Sequence, residues 1–204
     1  MVVTEITEVS KAKWKIYIDY EFAFVLYKGE LRKYHIKIDE DISEETYREI
    51  VDEVLTKRAK LRCMNLLQSR DYTTEQLRTK LQQGFYPQTV IEKAIEYVTG
   101  YRYLDDVRYA KSYIHYAGQS KSRRQIELDL LRKGVSKSDI QAAYEACEEE
   151  DMVVSEENLI QTYIEKKRYN KSEATPDEYR KMMNFLYRKG FSLDKIYNVL
   201  GEKD

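Results

Sequence analysis

Three times along this chain a run with helical apolar spacing ends on the same short pattern. Lys80-Leu-Gln-Gln-Gly84-Phe85, Leu130-Leu-Arg-Lys-Gly134-Val135 and Leu186-Tyr-Arg-Lys-Gly190-Phe191 match in residue type. In each, a glycine follows the last apolar turn and an apolar residue follows the glycine. That order predicts a helix C-cap at Gly84, Gly134 and Gly190, with the glycine in the left-handed conformation that spares it a Cβ clash. Upstream, Thr73-x-x-Gln76, Ser122-x-x-Gln125 and Thr175-Pro-Asp-Glu178 each read as a capping box, the last with proline at the first helical position. Six residues past the glycines stand Val90, Ile140 and Ile196, inside a further helix. Each unit also has a helix before its capped one: Arg58–Ser69, Asp105–Ala117 and Glu156–Lys167. The parse is helix, helix, glycine, helix, three times over, with glycine spacings of 50 and 56 residues in the range of repeat arrays. The expected fold is mainly α: tandem three-helix units in an elongated, curved array, behind a small segment containing a β-hairpin. The expected domains are 1–57, 58–100, 101–150 and 151–204.

Residues 1–57 follow a different period. In Lys13–Tyr20, Trp14, Ile16, Ile18 and Tyr20 alternate with Lys13, Lys15, Tyr17 and Asp19, which predicts a strand. Glu21–Tyr27 is a second strand, reached through a tight turn near Asp19–Glu21. Such a hairpin is marginal alone and must lean on something. Residues 28–38 read either as a third strand or as a short helix around Glu30–Tyr34. From Ser43, an N-cap residue, Tyr47, Ile50, Val51, Val54 and Leu55 take helical spacing. Nothing breaks that helix through Ala59, Cys63, Leu66 and Leu67.

Composition narrows the function classes. With 7 Gly and 2 Pro against 35 Lys+Arg and 36 Asp+Glu, the chain reads as helical and soluble. The 19 Tyr imply shallow cores whose hydroxyls reach water or a partner. No apolar run is long enough to span a membrane, and no secretory leader pattern opens the chain. Cys63 and Cys147 stand far apart without metal-ligand neighbours, which suits a reducing compartment and a cytoplasmic location. His35 and His115 are the only histidines. Phosphate loops, nucleophile elbows and Cys-x-x-Cys pairs are all missing, so we expect no enzyme activity, metal or cofactor.

Charge is segmented. Residues 58–134 carry 15 basic against 8 acidic side chains, and residues 135–161 carry 1 against 8, within a net charge of −1. The candidate partner- or phosphate-binding cations are Arg58, Lys60 and Arg62 in the first unit, and Arg108, Lys121, Arg123, Arg124, Arg132 and Lys133 in the second. Lys166, Lys167 and Arg168 form the matching cluster of the third. Each cluster reads as a solvated face or as a contact for acidic protein surface or phosphate. Lys121–Arg124 is the favoured one, because a helix start also offers N–H groups to anions. Arg132 and Lys133 have a competing role at a helix C-terminus. Glu148–Asp151 reads as a solvated helix end or linker, or as an acidic mimic that meets a basic partner.

The middle unit opens Tyr101-Arg-Tyr-Leu-Asp-Asp-Val-Arg-Tyr-Ala110. Asp105 or Asp106 is placed to accept from first-turn N–H groups at the positive end of the helix dipole. Tyr109, Tyr113 and Tyr116 follow on one helical face. Tyr103, Leu104, Asp105, Asp106, Arg108, Tyr109 and Ala110, with Arg124–Ile126 and Leu131–Val135, resemble the signature of the RecX family, regulators of the RecA recombinase. The resemblance covers about residues 58–200. Two departures from the family pattern stand out: tyrosine often stands where phenylalanine is common, and the acidic run before the third unit bears on that unit's orientation. The resemblance implies tandem three-helix units without enzyme activity. It also implies binding to the RecA–DNA filament, with DNA in the filament within reach, and modulation of recombinase and ATPase activity, usually by inhibition, in recombination and DNA repair. We expect a monomer. The alternatives are a helical-repeat DNA-binding protein, since three-helix units can place a helix in a groove, and a helical scaffold with affinity for neither.

Overall fold

A computed structural model describes residues 1–201. The chain divides into two compact units, residues 1–105 and the residues from Asp106 on. Among the described residues no helix is long and apolar enough to cross a membrane.

The first unit opens with an antiparallel sheet of β1 (Val3–Ser10), β2 (Lys13–Ile18) and β3 (Glu21–Tyr27), in that order across the sheet. The expected hairpin is β2–β3, and Asp19 and Tyr20 turn between the strands with φ of 48° and 71°. Two successive positive φ values give the turn whose twist matches the flanking strands. The sheet has one strand more than the hairpin, because β1 alternates weakly: only Val3 in it is buried. Opposite it, Ile6 faces Ile16 and Glu8 faces Trp14.

The ambiguous stretch is a helix, α1 (Lys28–Lys33), whose entrance is held by a 2.7 Å bond from the Tyr27 N–H to the Glu30 carboxylate. Ser43 caps α2 (Glu44–Glu49) by accepting from the Thr46 N–H at 3.0 Å. The helix runs on without a break through a π-helical segment, Ile50–Leu55, into α3 (Thr56–Ser69). Inside it, the buried Thr56 hydroxyl donates to the Val51 carbonyl at 2.9 Å. The first three-helix unit is α3, α4 (Thr74–Gln83) and α5 (Gln88–Gly100). It shares one core with the sheet: Ile16, Phe24 and Leu26 pack with Ile50, Leu55, Cys63, Leu77, Leu81, Ile91 and Val98. The marginal hairpin leans on this helical core.

The second unit holds two further three-helix modules. The middle one is α6 (Asp106–Ala117), α7 (Arg123–Arg132) and α8 (Lys137–Glu149), around Ala110, Ile114, Ile126, Leu130, Ile140 and Tyr144. The last is α9 (Glu156–Lys166), α10 (Pro176–Arg188) and α11 (Leu193–Leu200), around Ile160, Ile164, Leu186, Phe191 and Ile196.

Aligning the repeats on glycine slips by one residue in the first unit. The closing bonds run from Tyr86 N to Leu81 O, from Val135 N to Leu130 O and from Phe191 N to Leu186 O. By that register Phe85, with φ of 61°, occupies the place of Gly134 and Gly190, with φ of 84° and 89°. Gly84 is still the C-cap residue, but at φ −81° it is not left-handed. Glycine is needed there for a different reason: a Cβ would sit 2.9 Å from the Tyr86 ring. Ile91, rather than Val90, is then the equivalent of Ile140 and Ile196.

The capping boxes at Thr73 and Thr175 are complete. At Ser122 the forward bond forms, from the Gln125 N–H to Oγ, without the reciprocal one, and the Ser122 hydroxyl donates to the Lys189 carbonyl at 2.7 Å. The tyrosine face of α6 is shorter than expected. Tyr109 and Tyr113 pack on the core, whereas Tyr116 is 79% exposed.

Candidate functional site

In the first unit, α3 carries the candidate cations, and the core claims the first of them. The Arg58 guanidinium pairs with Glu30, donates to the Val25 carbonyl at 3.3 Å and lies 4.5 Å from the centre of the Tyr27 ring. Lys60 sits over the Tyr97 ring at 4.6 Å. Arg62, one turn beyond Arg58, is exposed and lines a shallow cleft of about 520 Å³ with Lys13, Tyr27 and Lys80.

The favoured cluster at the entrance to α7 is largely satisfied from within its own unit. Lys121 donates to the Asp129 carboxylate at 2.6 Å and to the Tyr113 hydroxyl at 3.2 Å. The bond to Asp129 raises the Lys121 pKa, and the same bond holds the Asp129 carboxyl below its ordinary value. Arg123 reaches Glu127 and Glu148, each at 3.1 Å, and covers the Tyr144 ring at 4.0 Å. The helix-start N–H that was to receive an external anion already has one: Arg123 N donates to the Glu156 carboxylate at 2.8 Å. Lys195 binds the same carboxylate at 2.7 Å. Arg132 pairs with Asp129 at 3.1 Å, and Lys133 lies 5.3 Å from the Tyr113 ring centre.

Arg124 differs from its neighbours. It is exposed on α7, and among the described residues it has no carboxylate within ion-pairing distance. Ile126 and Leu130 turn inward to the core, which leaves Arg124, Leu128, Leu131 and Arg132 as a stripe on the outer face. Arg124, Leu128 and Arg132 of that stripe form one wall of a groove of about 480 Å³, with Tyr187, Arg188 and Gly190 from the end of α10 opposite. Arg188 is also exposed and, among the described residues, without a carboxylate partner; its Nε donates to the Asn184 carbonyl at 3.4 Å. The same arginine lines a second cavity, of about 590 Å³, with Lys167, Arg168 and Lys181. Sequence reading missed Leu128, Tyr187 and Arg188. Leu128 lies one turn beyond Arg124, off the face that Ile126 and Leu130 bury, so the helical spacing already held that signal.

The signature residues are mostly structural. Leu104 is buried in the core of the first unit and Ala110 in that of the middle module, with Tyr109 packed against the latter. Asp106 begins α6 and Asp105 precedes it. Tyr103 is half exposed and stacks on Tyr101 with ring centres 6.0 Å apart. Arg108 is exposed on α6.

Comparison with known proteins gives the modules a family. Residues 59–97, 105–143 and 155–200 match the first, second and third three-helix domains of RecX, in that order. The regulatory protein RecX of Caldanaerobacter subterraneus subsp. tengcongensis is 29% identical, over 98% of this chain and 98% of its own. That of Clostridioides difficile is 29% identical, over 92% of this chain and 87% of its own. A crystal structure of regulatory protein RecX superposes with a TM-score of 0.64 at 22% identity, covering 98% of this chain and 99% of that one. RecX from Lactobacillus salivarius superposes at 0.61 with 21% identity, over 72% of this chain and 94% of that one.

Proposed function

This chain belongs to the RecX family, and from that membership we propose that it is a non-enzymatic regulator that binds the RecA–DNA filament and lowers RecA activity. The observation that carries the reading is the ordered match of all three domains, together with relatives named regulatory protein RecX that align over nearly the whole chain. Three modules in tandem suit a repetitive partner. Each contact can be weak, because the second and third contacts form at the high effective concentration set by the first. The groove on the second unit supplies one such contact, since Arg124 and Arg188 are cations with no carboxylate partner among the described residues. Bound this way, the protein biases the filament toward states that hydrolyse ATP slowly or lose protomers.

The test is ATP hydrolysis by RecA preassembled on single-stranded DNA, with this protein titrated below one per protomer. A matched titration onto bare DNA runs beside it. Loss of hydrolysis well below saturation, with weak binding to the bare strand, is the expected result. Unchanged hydrolysis with tight, steeply salt-dependent binding to bare DNA would refute it and favour a DNA-binding repeat protein.

A further inference from the structure

We propose that the groove between α7 and the end of α10 receives an acidic protein segment that carries an apolar side chain. Its carboxylates meet Arg124 and Arg188, and its apolar group lies against Leu128 and Tyr187. This rests on the regulator reading above and gives the chemistry of one of its contacts.

The first argument is charge. The other cations around the groove are quenched: Lys121 and Arg132 both hold Asp129. Arg124 and Arg188 are not, so an incoming carboxylate gains a planar, two-pronged partner without breaking an existing pair. The second argument is the apolar wall. Leu128 is 44% exposed and Tyr187 50%, both beside the same cations. Arginine and tyrosine around a small apolar patch is the mixture that carries binding energy at protein interfaces.

A phosphate backbone fits this surface less well. Among the described residues Tyr187 is the one aromatic face the groove offers for base stacking, and a sugar–phosphate chain does not cover Leu128. Asp129 stands on the groove wall, and Glu173 and Glu178 line the second cavity. Those carboxylates would face a continuous row of phosphates with like charge. A protein segment can place its few carboxylates at the arginines and leave the acidic positions uncharged.

The experiment uses two double variants of the full chain, Arg124→Glu with Arg188→Glu and Leu128→Ala with Tyr187→Ala. All four side chains are exposed, so both variants should melt with the unaltered protein. Binding is read by fluorescence anisotropy of labelled protein against RecA assembled on single-stranded DNA with a slowly hydrolysed ATP analogue, and against the same DNA alone. We expect each pair to weaken filament binding by about tenfold or more, with the Leu128/Tyr187 pair leaving bare-DNA binding unchanged. Full filament affinity in the Leu128/Tyr187 variant would overturn the proposal. So would a parallel loss of filament and bare-DNA affinity in the arginine variant, which would mark a phosphate site. Absence of filament binding by the unaltered protein would refute the regulator reading itself, and this inference with it.

Discussion

Gly190→Ala tests the joint between the middle and last modules. Gly190 has φ of 89°, a region that L-residues rarely enter, and a Cβ added there would lie 2.6 Å from the Ser122 Oγ. The left-handed backbone costs an alanine about 1–2 kcal/mol. The overlap must be relieved by moving a hydroxyl that is itself committed: Ser122 is 1% exposed, donates to the Lys189 carbonyl at 2.7 Å and accepts from the Gln125 N–H. Losing the first bond costs about 0.5–1.5 kcal/mol, and weakening the cap costs up to about 1 kcal/mol more. The substitution should therefore destabilise the second unit by about 3 kcal/mol in all. Gly201 is the control. It has φ of 83° with nothing among the described residues within 4 Å of an added Cβ, so Gly201→Ala should cost only the backbone strain. Urea unfolding followed by circular dichroism reads the difference, and amide hydrogen exchange in α7 and α10 assigns it to the joint. Adding Ser122→Ala to Gly190→Ala should cost about 1–2 kcal/mol less than Ser122→Ala does alone, because the obstructing hydroxyl is already gone. Equal costs at Gly190 and Gly201, or strict additivity with Ser122→Ala, would refute the described packing.

Arg58→Ala should cost the first unit about 2 kcal/mol, since it leaves a half-buried Glu30 carboxylate unpaired; per folded molecule, inhibition of RecA ATP hydrolysis should be unchanged. Asp129→Asn should destabilise the second unit by less than about 1 kcal/mol at neutral pH. Because native Asp129 ionises below its unfolded value, its contribution is complete above the unfolded pKa and vanishes as pH falls through the native one. Stability curves of the two proteins should therefore converge in acid and stay apart at neutral pH. Burial pushes the Cys63 thiol up to about 11 and raises Cys147 too. An aromatic disulfide reagent should thus leave both unmodified in the native protein at pH 7 and titrate both in urea.

Where a local rule acted alone, the fold was legible in residue order. Ser43, Thr73 and Thr175 cap helices because a hydroxyl three residues before a free N–H suffices for the purpose. The β2–β3 pair was legible because it buries one face and alternates. What escaped was set by contacts distant in sequence. β1 pairs through its backbone while burying little, so its side chains carry no strong period. Gly84 resembles its two counterparts in the chain, but the Tyr86 ring decides what it does. The bond from the Ser122 hydroxyl to the Lys189 carbonyl could not be read from Ser-x-x-Gln, since its acceptor lies in the next module.

The same distinction governs the charges. Read along the chain, residues 121–124 are a dense basic cluster and residues 148–151 a separate acidic one. Folding brings the two together: Arg123 meets Glu148 and Lys111 meets Glu150 at the end of α8. Glu148 and Glu150 of the acidic run thereby serve as internal counterions of the middle module. Density of charge in sequence therefore does not separate the paired cations from the available ones, because a dense cluster is where folding finds counterions nearby. Arg124 turns away from that network by one helical step, about 100° from Arg123, and Arg188 lines the same groove from another helix with no carboxylate within ion-pairing distance among the described residues. A chain with almost no net charge can therefore carry a cationic groove, provided its remaining cations are spent on its own carboxylates.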